Sequence, residues 1–107
     1  MTTTDTSKYI FNHTMLRVKD AKVSLKYYQE VFGMTLLRSH INDKNGFDIY
    51  FLGYQEKPEE KELSGGVSLT AGSEGLLELT WNYGTEKEDG PVYHDGNKEP
   101  QGFGHIC

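Results

Sequence analysis

Three residues of the sequence, His13, Glu78 and His105, could together bind a divalent metal ion. Imidazole nitrogens and carboxylate oxygens are the donors that suit zinc, nickel, cobalt and iron. Glu78 is the most unusual of the three, because it stands in the middle of an apolar, strand-like segment. A partly buried carboxylate costs several kcal/mol unless it is paired, hydrogen-bonded or bound to a metal. The long spacing leaves a second interpretation open, in which Glu78 is only hydrogen-bonded and the two histidines are unrelated to it.

Side-chain alternation along two predicted strands decides which residues can meet. In the segment Leu76–Gly84, a strand pattern places Leu77, Leu79 and Trp81 on one face and Glu78 on the other. The apolar face is predicted to belong to the core. The face that carries Glu78 is therefore predicted to line a cavity.

The first predicted strand, Tyr9–Val18, carries a similar set of polar side chains. His13 and Arg17 share one of its faces and lie two positions on either side of Met15. Such a face suits a cavity that binds an anion or a metal. Solvation of an edge strand is the alternative explanation for this pattern.

The remaining elements follow from periodicity and turn residues. Asp20 is a predicted N-cap, apolar residues recur at helical spacing over Ala21–Phe32, and Gly33 ends that helix. The further strands are predicted at Met34–Ser39, Phe47–Tyr54 and Leu76–Gly84, which gives the order strand, helix, strand, strand, strand. Either face of Phe47–Tyr54 could line the cavity.

The segments between these elements are predicted to be loops. Gln55–Gly75 is charged and then rich in Gly and Ser, with at most a short strand at Val67–Leu69. His40 and His94 also fall in predicted loops and have no strand context. We predict a disordered tail at residues 1–8, an ordered unit at 9–84, a linker at 85–102 and the start of a further strand at 103–107.

Composition excludes several classes of function. The chain has 107 residues and a formal net charge of −5 without a Lys/Arg cluster, so no nucleic-acid partner is expected. No apolar run approaches the roughly 18 residues that cross a bilayer, so no membrane partner is expected either. A polar N-terminus and a single cysteine, Cys107, predict a cytoplasmic location.

Five ordered segments resemble glyoxalase I (lactoylglutathione lyase), a family of the vicinal oxygen chelate superfamily. The loop 97–102 is similar to that of fungal and animal members, and the likeness extends from Tyr9 to the end of the chain. The five segments are Asn12–Asp20, Tyr28–Leu37, Ile49–Tyr54, Leu77–Gly84 and Gly102–Ile106.

The resemblance implies an α+β fold, a single βαβββ module with a curved mixed sheet and no second module. In this family the site forms between two modules. The resemblance further implies that His13, Glu78 and His105 are metal ligands, with zinc as the most expected metal and nickel or cobalt as alternatives. The fourth ligand, a Glu late in the second module of relatives, is expected to have no counterpart here.

The resemblance also implies a reaction. Its substrate would be the hemithioacetal of methylglyoxal and glutathione, its product S-lactoylglutathione, and Glu78 a catalytic residue that moves a proton. Arg17 and Asn82 would hold the glutathione moiety, while Ile49 and Phe51 would line the apolar pocket around the reacting carbon.

Two positions depart from the family pattern: Trp81 stands where relatives usually have His, and Gln101 stands where several have Arg. The second departure is expected to weaken one charge contact to glutathione. For the chain by itself we expect weak metal binding, low or absent lyase activity, and a homodimer through the open concave face. The alternatives are a non-catalytic half-module that binds metal or glutathione weakly or pairs with a full-length partner, and a binding protein of the kind that sequesters antibiotics.

Overall fold

The computed structural model describes residues 3–56, 62–63, 67–68 and 72–107. The elements are β1 (His13–Arg17), α1 (Ala21–Glu30), β2 (Thr35–Asn42), β3 (Phe47–Gly53), β4 (Glu62–Leu63), β5 (Val67–Ser68), β6 (Leu76–Asn82) and a 3-10 turn (Thr85–Lys87). Strands β1, β6, β3 and β2 form the main sheet in that spatial order, and β4 and β5 form a separate two-stranded sheet. The predicted α+β class and the order of one strand, one helix and three main-sheet strands are confirmed.

The main sheet is mixed. β1 lies parallel to β6, so that Met15 pairs with Glu78, whereas β6 is antiparallel to β3 and Glu78 pairs with Phe51. β3 is antiparallel to β2, with a register shift between Leu36 and Arg38. The parallel pair forms because α1 carries the chain back across one face of the sheet.

Helix α1 begins where its sequence provides a cap. The Asp20 carboxylate accepts hydrogen bonds from the backbone N–H groups of Lys22 at 3.0 Å and Val23 at 3.4 Å. The helix ends at Glu30, two residues before the predicted end, and Gly33 follows with a φ of 68°. The predicted N-cap is confirmed, while the predicted extension to Phe32 is wrong.

The core lies between α1 and one face of the main sheet. Leu52, Leu77 and Leu79 are buried, and Leu25 and Tyr28 of α1 pack against them. Because side chains alternate along β6, Glu78 lies on the opposite face, as predicted. Burying these apolar surfaces stabilises the fold by roughly 25 cal/mol for each Å² removed from water.

One predicted member of this core shares its face of the sheet but lies at the end of β6, outside the buried cluster. Trp81 is only partly buried and is absent from the buried leucine cluster. Its ring lies 4.8 Å from that of Tyr83, and its Nε1 donates to Glu86 Oε2 at 3.1 Å. The predicted packing of Trp81 beneath the helix is therefore wrong. Since β6 ends at Asn82, Trp81 lies near the end of the strand, and its indole N–H can reach Glu86 in the turn that follows.

Several predicted boundaries also need correction. Strand β2 extends to Asn42, so His40 lies in a strand and not in a loop. The predicted strand Val67–Leu69 appears as β5, with Leu69 outside the described residues, and the sequence did not reveal β4. Residues 101–107 contain no regular element, so the predicted start of a strand at 103–107 remains a prediction. Within the described ranges, the structure contains no helix that is long and apolar enough to cross a membrane.

Candidate functional site

The candidate site lies on the face of the main sheet opposite α1, which we call the open face. Side chains alternate along each strand. The residues that point to the open face therefore lie between the residues that point to the leucine core. The open face includes six of the seven predicted site residues, which lie on β1, β6 and β3, while His105 lies outside these strands. Its central members are His13, Met15, Arg17, Glu78, Thr80, Asn82, Ile49 and Phe51.

His13 and Glu78 meet at the centre of the open face. His13 Nε2 lies 3.5 Å from Glu78 Oε2, and the two side chains are 39% and 13% exposed. Phe51 packs edge-on against the His13 ring, with ring centroids 5.5 Å apart. The partner that a mid-strand carboxylate requires is therefore an imidazole on the neighbouring strand, in a setting that is apolar on one side.

Asn12 fixes the orientation of the His13 ring, a role that the sequence did not reveal. Its Nδ2 donates to the Ser73 carbonyl at 2.6 Å, which turns Oδ1 towards His13 Nδ1 at 2.5 Å. Because an amide oxygen only accepts, Nδ1 carries the proton. In the neutral ring Nε2 then has a lone pair facing Glu78. Two acceptors that face each other in this way are favourable only if a metal ion or a proton lies between them.

The chemistry of this pair fits a divalent metal. Two ligands of one tetrahedral zinc ion, each about 2.0–2.2 Å from the metal, lie roughly 3.3–3.6 Å apart. The 3.5 Å separation of Nε2 and Oε2 matches that spacing. A ligating imidazole commonly donates its other N–H to an oxygen, as His13 does to Asn12. A proton shared between the two residues is the simpler alternative that the same geometry allows.

His105, the third predicted ligand, is exposed on the terminal segment. Within the parts of the chain that the structure describes, no three His, Cys, Asp or Glu residues form a group that could hold a metal. The structure thus brings His13 and Glu78 together but does not bring His105 to them. The three-residue ligand set remains a prediction.

The predicted substrate-binding residues lie on the open face around this pair. Phe51 is the cross-strand neighbour of Glu78, and Ile49 is the neighbour of Thr80, which in turn pairs with Arg17. These pairings place Ile49 and Phe51 on the same face of the sheet as Glu78. Asn82 lies at the end of β6, where its Nδ2 donates to the Tyr93 hydroxyl at 3.3 Å.

A second polar cluster lies on the helix side of the sheet, away from the open face. Asp48 is 5% exposed and accepts hydrogen bonds from the hydroxyls of Tyr50, at 2.8 Å, and of Tyr83. Burial and the neighbouring Asp48 carboxylate raise the pKa of Tyr50 to about 12. The hydrogen bond to Asp48 does the same for the pKa of Tyr83. These three residues stabilise the joint between β3 and the end of β6 and have no place in the site.

Comparisons with known proteins agree with this architecture. The family described as Glyoxalase/Bleomycin resistance protein/Dioxygenase superfamily matches residues 10–107. Lactoylglutathione lyase of Schizosaccharomyces pombe is 52% identical over 106 residues, which cover 98% of this chain and 34% of that protein. Lactoylglutathione lyase of Pseudomonas aeruginosa is 47% identical over 103 residues, which cover 95% of this chain and 58% of that protein. The chain thus spans between a third and three fifths of the length of these relatives.

Two solved structures share the fold at measurable sequence identity. Glyoxalase I of Leishmania major, described as trypanothione-dependent, gives a TM-score of 0.54 at 30% identity, covering 80% of this chain and 52% of that one. Glyoxalase I of Zea mays gives a TM-score of 0.50 at 33% identity, covering 68% of this chain and 21% of that one. With the family match over nearly the whole chain, these findings confirm the resemblance. The chain belongs to the glyoxalase/bleomycin resistance protein/dioxygenase superfamily.

Proposed function

We propose that this chain provides the His13–Glu78 half of a lactoylglutathione lyase site. The reaction would convert the hemithioacetal of methylglyoxal and glutathione into S-lactoylglutathione. The observation that carries the proposal is the half-buried Glu78 carboxylate facing an oriented imidazole on the open face. Similarity to proteins named lactoylglutathione lyase supports it independently.

His13 and Glu78 would be ligands of a divalent metal, zinc in the first place, and His105 would be a third. When bound, a divalent metal stabilises negative charge that develops on the oxygens of the substrate. Asn12 would keep the Nε2 lone pair of His13 directed towards the metal by holding the proton on Nδ1.

Glu78 would also act on the proton that moves in the reaction. The hemithioacetal and its thioester product are isomers, so one C–H bond breaks and another forms at the adjacent carbon, while the hydroxyl on the first carbon becomes a carbonyl and the ketone on the second becomes a hydroxyl. A carboxylate can take the proton from the first carbon and return it to the second. Its 13% exposure limits access of water to the carboxylate, which favours internal transfer over exchange.

The remaining open-face residues would bind the two ends of the substrate. Arg17 and Asn82 offer a guanidinium and an amide to the carboxylates and peptide groups of glutathione. Ile49 and Phe51 offer an apolar surface to the methyl group. A single cysteine agrees with a cytoplasmic location, where glutathione keeps thiols reduced.

The test is a lyase assay with methylglyoxal and glutathione, with added zinc or nickel, that follows thioester absorbance at increasing protein concentration. We expect Glu78→Gln to lower whatever turnover the chain shows by at least about 100-fold, the usual contribution of a positioned acid–base group. Glu30→Gln is the matched control, since it removes the same charge from an exposed position at the end of α1. It is expected to leave turnover unchanged.

Equal turnover in the wild type and the Glu78→Gln variant would show that the site is placed wrongly. The zinc-dependent binding of S-lactoylglutathione is measured in parallel by calorimetry. Binding without any turnover would favour the non-catalytic half-module, and the absence of both would contradict the proposed function.

A further inference from the structure

Both arginines of the sequence lie on the open face, at opposite edges of the sheet. Arg17 is on edge strand β1, and its row across the sheet runs through Thr80 and Ile49 to His40 on edge strand β2. The second row runs from Met15 through Glu78 and Phe51 to Arg38. Cross-strand partners share a face, so Arg38 and His40 belong to the same surface as Glu78.

The register shift in β2 produces this placement. Leu36 pairs with Leu52 on the core side, and the next paired residue is Arg38, opposite Phe51. Leu37 is therefore the extra residue of a bulge, and it is buried. A bulge redirects the side chains that follow it. Without it, Leu37 would oppose Phe51, and Arg38 would point towards the helix.

The charge of the open face is opposite to that of the chain. Its charged side chains on the four strands are Arg17, Arg38 and Glu78, which leave one net positive charge when histidines are neutral. The whole chain has a net charge of −5. Arg38 is exposed and makes no ion pair with any residue that the structure describes. The open face thus carries both guanidinium groups of the sequence, which are planar, bidentate donors that suit carboxylates.

We propose that Arg38 is a specificity-determining residue, which binds a carboxylate of the substrate at the β2 edge, with His40 as a neighbouring hydrogen-bond donor. The proposal rests on the proposed function, because it extends the same open-face site. Two strand spacings, roughly 10 Å, separate Arg38 from Glu78. A ligand anchored at Arg17 and reacting beside Glu78 can extend past Phe51 to Arg38. The carboxylate can belong either to the thiol peptide or to the group derived from the carbonyl compound.

The test measures binding of inert thioethers, so it does not depend on turnover. The ligands are S-propylglutathione, its glycyl monoethyl ester, and S-(2-carboxyethyl)glutathione, each titrated by calorimetry into the wild type, Arg38→Gln and Arg38→Lys. Lys44→Gln is the matched control, since it removes the same charge from the turn between β2 and β3. We expect Arg38→Gln to weaken binding of at least one carboxylate-bearing ligand about tenfold or more, and Arg38→Lys to restore only part of that affinity.

The ligand set identifies the source of the carboxylate. If Arg38→Gln weakens binding of S-propylglutathione but not of its monoethyl ester, Arg38 binds the peptide carboxylate. A loss confined to S-(2-carboxyethyl)glutathione assigns it to the carbonyl-derived group and predicts a preference for acidic 2-oxoaldehydes. Equal effects of Arg38→Gln and Lys44→Gln on all three ligands, or no binding by the wild type, would overturn the proposal. A chain that shows the Arg38-dependent loss without any lyase activity would favour the non-catalytic half-module over the proposed function and would retain this subsite.

Discussion

At the scale of single residues, the orientation of the His13 imidazole towards the Glu78 carboxylate depends on the residues around it. A series of hydrogen bonds determines which nitrogen of His13 faces Glu78. It runs from the Ser73 carbonyl through the Asn12 amide to the His13 imidazole. The sequence indicated the two chemical groups and their common face. It could not indicate Asn12 as the positioning residue, because its hydrogen bond to Ser73 spans 61 positions of the chain.

The Asp48 cluster gives a prediction about pH at the same scale. Tyr50 and Tyr83 have pKa values raised from 10.0 to about 12, by burial and by hydrogen bonds to Asp48. Between pH 10 and 12 the folded chain therefore keeps protons that the unfolded chain releases. The free energy of unfolding should be constant in this respect below pH 10 and should fall as the pH rises towards 12.

Urea unfolding at several pH values in that window measures the slope. Tyr83→Phe should make the decline shallower, because it removes one of the two phenol protons that Asp48 holds, whereas Tyr9→Phe, at a residue that is 68% exposed, should leave the decline unchanged. A slope that is equally steep in the wild type and the Tyr83→Phe variant would show that the two hydroxyls do not hold their protons in this way.

At the scale of elements, α1 depends on the capping of its first turn. Asp20 accepts two backbone N–H groups that have no partner within the helix. Asp20→Ala should lower the free energy of unfolding by about 1 kcal/mol, the usual effect of removing an N-cap. Urea denaturation checks this value, with Asp89→Ala, an exposed residue beyond the 3-10 turn, as the control. Equal effects of the two substitutions would mean that the cap does not stabilise α1.

The elements also show where prediction from sequence succeeds and where it fails. Alternation identified β6 and the side of Glu78, because one face of that strand is almost wholly apolar. The same reasoning placed His40 in a loop, because β2 beyond Ser39 is a largely exposed edge that lacks a clear apolar alternation. The bulge at Leu37 depends on pairing with β3, which a local pattern cannot indicate. Arg38 was therefore not recognised as a member of the open face.

At the scale of the whole molecule, the main sheet has a core on one side only, and its other side is the open face. Met15 is 36% exposed there, beside the half-buried Phe51 and Ile49. We predict that two chains associate through this face, which covers apolar surface that water otherwise contacts. Met15→Glu should shift the population towards the monomer in sedimentation equilibrium. Val23→Glu, at a side chain 65% exposed on α1, is the control and should not. A wild-type chain that stays monomeric at high concentration would exclude this association.

Residue-resolved NMR during a zinc titration tests the central claim most directly, namely that His13 and Glu78 together form the metal-binding half of the site. The method detects weak as well as tight binding and reports its location. We predict that the largest shifts occur at His13 and Glu78, with smaller ones at Met15 and Phe51, and that Glu78→Gln abolishes this pattern while Glu30→Gln preserves it. Shifts centred on another part of the chain, such as the loop around His94, or a pattern unchanged by Glu78→Gln, would contradict the account.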